Sequence, residues 1–215
     1  MKSLNRYILE KIKDLPASIK GIIVFDIDDT LLKVDPDVMS IYKRIPGSTH
    51  EIKLSTEEFA KDEDAKDPKK KSWFDLRDFN DSTKVYHSII SGTPLIKNLR
   101  IMDEYINAGY DFCFLTARGC EEIIKKAIGE FLKFRDEDGK LKELGDNFKK
   151  TFSYAINDKI KKYPGETDAE KKANVLKDLC KKYDRVVFVD DDKKNVSAAR
   201  ELNISNLKVI KAWDE

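Results

Sequence analysis

The stretch that most constrains this chain is GIIVFDIDDTLLKV, residues 21–34. Ile22, Ile23, Val24 and Phe25 run without polar alternation and stop at a carboxylate. A strand with one wet face alternates apolar and polar side chains, so this run suits a central strand buried on both faces. Asp26, Asp28 and Asp29 follow, then Thr30 and the apolar pair Leu31 and Leu32. Three carboxylates within four residues repel one another, and something must offset that charge. A hard divalent cation such as Mg²⁺ takes oxygen ligands and would do so. An acidic turn that simply faces water is the plainer alternative.

Two further apolar runs stop in the same way. YDFCFL, residues 110–115, ends at Thr116 with Arg118 just beyond, and RVVFV, residues 185–189, ends at Asp190, Asp191 and Asp192. Shorter strands are expected at 152–156 and 207–212. Helical spacing fills the intervals. Thr93 and Pro94 read as N-cap and first residue of a helix that carries Leu95, Leu99, Met102 and Ile106 and ends at Gly109. Further helices are expected over about 119–134, burying Ile123, Ala127, Ile128 and Phe131, and over 168–183 and 193–202. The expected fold class is therefore α/β, a Rossmann-like parallel sheet with helices on both faces and right-handed crossovers. In such sheets ligands bind outside the carboxyl ends of the strands. Those ends carry Asp26 and Asp28, Thr116 and Arg118, and Asp190 and Asp191. Three separate strand ends bearing acids or a hydroxyl make a purely solvated surface a poor explanation.

Residues 35–91 differ in character, with Pro36, Pro46 and Pro68, short polar runs and brief apolar patches. They read as a small insertion with a hydrophobic nucleus of its own, placed between core segments 1–34 and 92–215. Asp62 to Lys71 reads as a solvated loop, in which Lys69, Lys70 and Lys71 form a charged turn. Val85, Ile89 and Ile90 suggest a short helix packing back on the body.

Composition narrows the function classes. Lys and Arg total 41 against 40 Asp and Glu, a formal net charge of +1, so bulk electrostatics argue for neither a nucleic-acid nor a membrane protein. The first fifteen residues place Leu4, Ile8, Ile12 and Leu15 on one helical face with charges between them, unlike a signal peptide. No run approaches the length of a membrane span, and the expectation is a cytoplasmic chain. Cys113, Cys120 and Cys180 fit neither a disulfide framework nor a zinc cluster, and His50 and His87 have no neighbours that suggest a triad.

FDIDDTLL, then FLTARG, then a lysine-bearing helix, then FVDDDKKN, resembles the haloacid dehalogenase superfamily of phosphotransferases in both motifs and order. The likeness covers about residues 20–34 and 92–212 and implies a cap inserted after the first motif. It implies that Asp26 is a nucleophile forming an aspartyl-phosphate and that Asp28 is the acid and base. Thr116 would bind the transferring phosphoryl with the N-terminus of the helix that follows, and Arg118 would clamp a phosphate oxygen or else lie at the surface. Of the adjoining Lys171 and Lys172, the latter shares the buried stripe with Ala169, Leu176 and Leu179 and is taken as the motif lysine. Mg²⁺ would be held by Asp26, Asp191 and Asp190 with the main-chain carbonyl of Asp28. Asn195 would anchor the last loop and Asp192 would cap its helix. Thr30 would hold the first turn or act as an ordinary cap, and Asp29 is read as a bystander.

The resulting expectation is a Mg²⁺-dependent hydrolase of phosphate monoesters. Asp190-Asp191 with Asn195 and the small insertion resemble the branch acting on nucleotides and polynucleotide 3′-phosphates. A phosphoprotein phosphatase, a phosphomutase and a non-catalytic binding module of the same fold are the alternatives.

Overall fold

Every residue of the run 21–25 is buried, and its side chains divide between two separate cores. The computed structural model describes residues 20–132 and 152–212; the helix expected over residues 1–15 and the glycine-bearing loop at 139–145 lie outside them. In chain order the elements are β1 (Gly21–Phe25), β2 (Leu32–Lys33), β3 (Ile41–Arg44), β4 (Glu51–Leu54), α1 (Thr56–Lys61), α2 (Glu63–Lys66), β5 (Phe74–Asp75), α3 (Ser82–Ile90), β6 (Thr93–Pro94) and α4 (Ile96–Asn107). They continue with β7 (Asp111–Thr116), α5 (Glu121–Phe131), β8 (Phe152–Ala155), α6 (Asp168–Cys180), β9 (Arg185–Asp190), α7 (Lys193–Glu201) and β10 (Leu207–Lys211).

Five strands form one sheet in the order β10-β9-β1-β7-β8, and each of its pairings is parallel. Successive side chains of a strand point to opposite faces, and the central strands use both. Ile23 and Phe25 of β1, Phe112 and Phe114 of β7, and Val187 and Val189 of β9 meet α3, α4 and α5 in one core. Ile22 and Val24, Cys113 and Leu115, and Val186 and Phe188 meet α6 and α7 in the other. Burial on both faces is why these strands carry no polar alternation. Each such side chain contributes roughly 1.5–3 kcal/mol relative to exposure. The fold is thus α/β and Rossmann-like.

Strand order places the site. From β1 the chain moves to β7 and β8 on one side, then returns to β9 and β10 on the other. The reversal falls between β1 and β9, where the Asp26 N–H donates to the Val189 carbonyl at 3.0 Å. A crevice at the carboxyl ends opens at such a switch point.

Between β1 and β7 the chain builds a second body. Strands β4, β3 and β5 form a three-stranded sheet, antiparallel at both pairings. Met39, Ile41 and Phe79 make a small nucleus with Leu54, Phe59 and Phe74, the last two rings meeting edge to face at 5.1 Å. Residues 62–71 are not the open loop expected. Asp62 caps α2 by accepting from the Asp64 N–H, and a 3₁₀ turn spans Pro68–Trp73. Lys43 reaches both Asp62 and Asp64, at 2.7 and 2.8 Å, and Lys70 also pairs with Asp64.

Three local expectations are corrected. Thr93 and Pro94 do not open a helix: they form β6, paired antiparallel with Leu32 and Lys33, and α4 starts at Ile96. The Leu95 N–H donates to the Leu31 carbonyl at 2.9 Å, which fixes that later start. The helix expected at about 119 begins at Glu121, and it buries Ile124 where Ile123 was expected. The helix expected to run to Tyr183 ends at Cys180.

Candidate active site

Asp26 follows directly on β1 and is 5% exposed. Lys172, on the inner face of α6 and 1% exposed, donates from Nζ to Asp26 Oδ1 at 2.8 Å and to Asp190 Oδ2 at 2.7 Å. A buried ammonium persists only when paired, and here two carboxylates pair it. Burial alone would lower the lysine's pKa; Asp190 and Asp26 outweigh that and raise it. Lys171, one residue earlier, points away and binds Asn157 at 2.6 Å. The stripe argument therefore picks the lysine that reaches the acids.

Asp190, the last residue of β9, is fully buried. Besides Lys172 it accepts from the Asp192 N–H at 2.9 Å and from Asn195 Nδ2 at 3.1 Å to each oxygen. Asn195 thus anchors the loop as expected, and Asp192 caps α7 through the Lys194 N–H. Thr30 Oγ1 donates to Asp191 Oδ1 and accepts from the Asp191 N–H, both at 3.1 Å. Thr30 therefore does more than cap a turn. It pins Asp191 to the first loop, and its own carbonyl is held by Asn98 Nδ2 at 2.8 Å.

Ligand atoms of Asp26, Asp190 and Asp191 lie within 4.8 Å of one another. Were all three carboxylates ionised, the Lys172 charge would leave two negative charges uncompensated. An all-oxygen donor set with that charge fits Mg²⁺. Burial, with Asp190, Asp28 and Asp191 adding to it and Lys172 opposing, holds the Asp26 carboxyl well above the usual carboxylate range. Burial and then the charges of Asp190 and Asp29 push Asp191 up to about 7, against the Thr30 hydrogen bond. In both, burial acts first and the crowding of negative charge adds to it.

Asp28 stands apart from this cluster. Arg118 grips it with a two-pronged fork, Nε to Oδ2 at 2.9 Å and Nη2 to Oδ1 at 2.6 Å. Arg118 is 0% exposed, which removes the surface alternative. Its fork is engaged by Asp28 in this structure, a partner that the sequence did not point to. Asp29, read as a bystander to the chemistry, has a structural contact. It sits at φ 54°, in the left-handed region, and accepts from Thr56 Oγ1 at 2.9 Å, tying the first loop to the start of α1.

Thr116 ends β7, fully buried, and its Oγ1 accepts from the Arg118 N–H at 3.3 Å. The N-terminus of α5 is less free than expected. Cys120 occupies its cap position at φ 60° with no side-chain cap bond, and the Glu121 N–H donates to Asp158 Oδ2 at 2.9 Å. Asp158 and Asn157 were missed in the sequence. Asn157 Nδ2 holds the Ala117 carbonyl at 2.8 Å. Their signal was available, since both directly follow the apolar strand run at 152–156. Asn98, by contrast, gave no signal within a helical stretch.

No family model and no curated protein matches this sequence. Among the described residues, no helix is long and apolar enough to cross a membrane.

Removing the ammonium while keeping the shape should expose how much the site depends on it. Lys172→Met leaves Asp26 and Asp190 buried without their cation, and the expected loss is about 3–5 kcal/mol of unfolding free energy. Urea denaturation measures it; a loss under about 1 kcal/mol would show that the carboxylates do not need the lysine.

Proposed function

We propose that this chain is a Mg²⁺-dependent phosphatase that hydrolyses phosphate monoesters through a phosphorylated Asp26, in the manner of the haloacid dehalogenase superfamily. The observation that carries this reading is the unequal treatment of two carboxylates. Asp26 lies against Lys172, Asp190 and Asp191, whereas Asp28 lies in the fork of Arg118. Asp26 shares its place with Asp190 and Asp191, the oxygen ligands that a cation beside the nucleophile needs, while Asp28 stands outside that group and is left to the proton.

An Asp26 oxygen attacks phosphorus, the ester P–O bond breaks, and Asp28 gives its proton to the departing alkoxide. Asp28, now ionised, takes a proton from water. That water attacks the phosphorus of the aspartyl-phosphate, and inorganic phosphate and free Asp26 result. Lys172 offsets negative charge beside the attacking oxygen throughout, and Thr116 offers a hydroxyl to the phosphoryl oxygens. A cation held by Asp26, Asp190, Asp191 and the Asp28 carbonyl would supply electrostatic neutralisation of the transferring phosphoryl. Thr30 and Asn195 keep two of those acids in place.

For the substrate we propose a nucleotide or a polynucleotide 3′-phosphate, on the likeness of Asp190, Asp191 and Asn195 to that branch. The segment 35–91 is read as its cap. A screen of nucleotides, 3′-phosphorylated oligonucleotides, phosphopeptides and sugar phosphates separates this from phosphoprotein phosphatase and mutase activities.

Turnover of p-nitrophenyl phosphate with Mg²⁺ tests the reaction class. Asp26→Asn should abolish it, and Asp28→Asn should lower kcat by about 10²–10⁴-fold, the range for a positioned acid and base. No turnover of any ester by the wild type would reject the enzyme reading, and an unchanged kcat in Asp28→Asn would reject the proton-transfer role.

The raised pKa of Asp191 gives a second test. Its folded value lies above the unfolded one, so without metal its contribution to stability is full at acidic pH and is lost as pH rises toward about 7. Ligation needs the ionised form. Added Mg²⁺ should therefore raise Tm more at about pH 8 than at about pH 6, and equal shifts would contradict this assignment.

A further inference from the structure

Arg118 is fully buried beside the site, yet its donors leave little for a substrate. Nε and Nη2 hold the two oxygens of Asp28. Nη1 donates to Ser88 Oγ at 2.7 Å and to the Val85 carbonyl at 3.2 Å, both on α3. Ser88, also fully buried, gives its hydroxyl proton to the Val85 carbonyl at 2.9 Å, which leaves an oxygen lone pair facing the guanidinium. The guanidinium is thus seated on a helix of the inserted segment at one end and grips Asp28 at the other.

We infer that Arg118 is a positioning residue, holding the Asp28 carboxylate in one orientation through its fork, with Ser88 fixing the fork in turn. This rests on the phosphatase reading above and deepens it. The chemistry favours the assignment. A planar fork that meets both carboxylate oxygens sets direction as well as distance, which a single-point contact cannot do. Nothing in the sequence separates Arg118 from a phosphate-binding arginine, because the difference lies in Val85 and Ser88, thirty and more residues upstream.

The role predicts a dependence on the leaving group. An alkoxide leaves poorly unless protonated, whereas p-nitrophenolate leaves unaided. The ratio kcat/KM reports the steps through phosphoryl transfer to Asp26, where that proton is delivered. The experiment compares kcat/KM for glycerol 2-phosphate and p-nitrophenyl phosphate, with Mg²⁺, in the wild type, Arg118→Met, Arg118→Lys and Ser88→Ala. Losing positioned acid catalysis should cost the alkyl ester about 10²-fold or more beyond any loss on the aryl ester in Arg118→Met. Arg118→Lys should recover part of that difference, and Ser88→Ala should shift the alkyl-to-aryl ratio several-fold in the same direction.

Equal losses on both esters in every variant would overturn the inference and leave Arg118 a supporter of the fold or of phosphate binding. Should Arg118→Met fail to fold, Ser88→Ala still decides, since it removes one hydroxyl and keeps the shape. An unchanged ester ratio there refutes the link to the helix. Failure of the wild type to hydrolyse either ester is a different result: it rejects the phosphatase reading itself, and this inference with it.

Discussion

A single buried ammonium organises the centre of this molecule. Lys172 reaches both Asp26 and Asp190, joining two neighbouring strand ends across the point where strand order reverses. Without it, two carboxylates would face each other in a dry crevice, a situation whose cost exceeds the contribution of most single contacts. With it, one of three negative charges is answered and two remain. Burial first, and that remainder second, raise the pKa of Asp26 and Asp191, and a divalent cation fits the excess charge. The helix that carries Lys172 is held by a capping box at Thr167 and Glu170 and by Leu176 and Leu179 in the second core. Stability and chemistry meet in that one helix.

The inserted segment is fastened to the site rather than hung beside it. Its two crossings to the sheet pair with each other as β2 and β6. Thr56 holds Asp29, Val85 and Ser88 hold Arg118, and the Phe79 carbonyl accepts from the Gly119 N–H at 2.9 Å. A Cβ at Gly119 would meet the Asn80 side-chain oxygen, which would have to turn aside. These contacts touch both loops that bear Asp28 and Thr116. The geometry of the second acid is therefore a joint product of the sheet and the insertion.

Much of this was legible in the sequence where the physical signal is local. Burial on both faces wrote the strand centres at 22–25, 112–115 and 186–189 as uninterrupted apolar runs, and helical spacing distinguished Lys172 from Lys171. Asp26, Asp190, Asp191, Thr30 and Asn195 come together because each lies at or just beyond a strand end. What failed depends on distant partners. Thr93 and Pro94 carry good helix-start chemistry, yet Leu32 and Lys33 recruit them into a two-stranded ladder. Residues 62–71 look like a solvated loop until Lys43, far upstream, gathers Asp62 and Asp64. The contacts of Arg118 with Ser88 and Asp28 likewise join residues too far apart in the chain to be read from its local pattern.

The central claim is that Asp26 becomes covalently phosphorylated. The direct measurement is acid quenching during steady turnover of a phosphate ester with Mg²⁺, followed by peptide mass spectrometry. The account predicts one phosphoryl group on the peptide containing Asp26, removed by hydroxylamine as an acyl phosphate requires. Undiminished turnover with Asp26 unmodified, or phosphate carried by another residue, would contradict it.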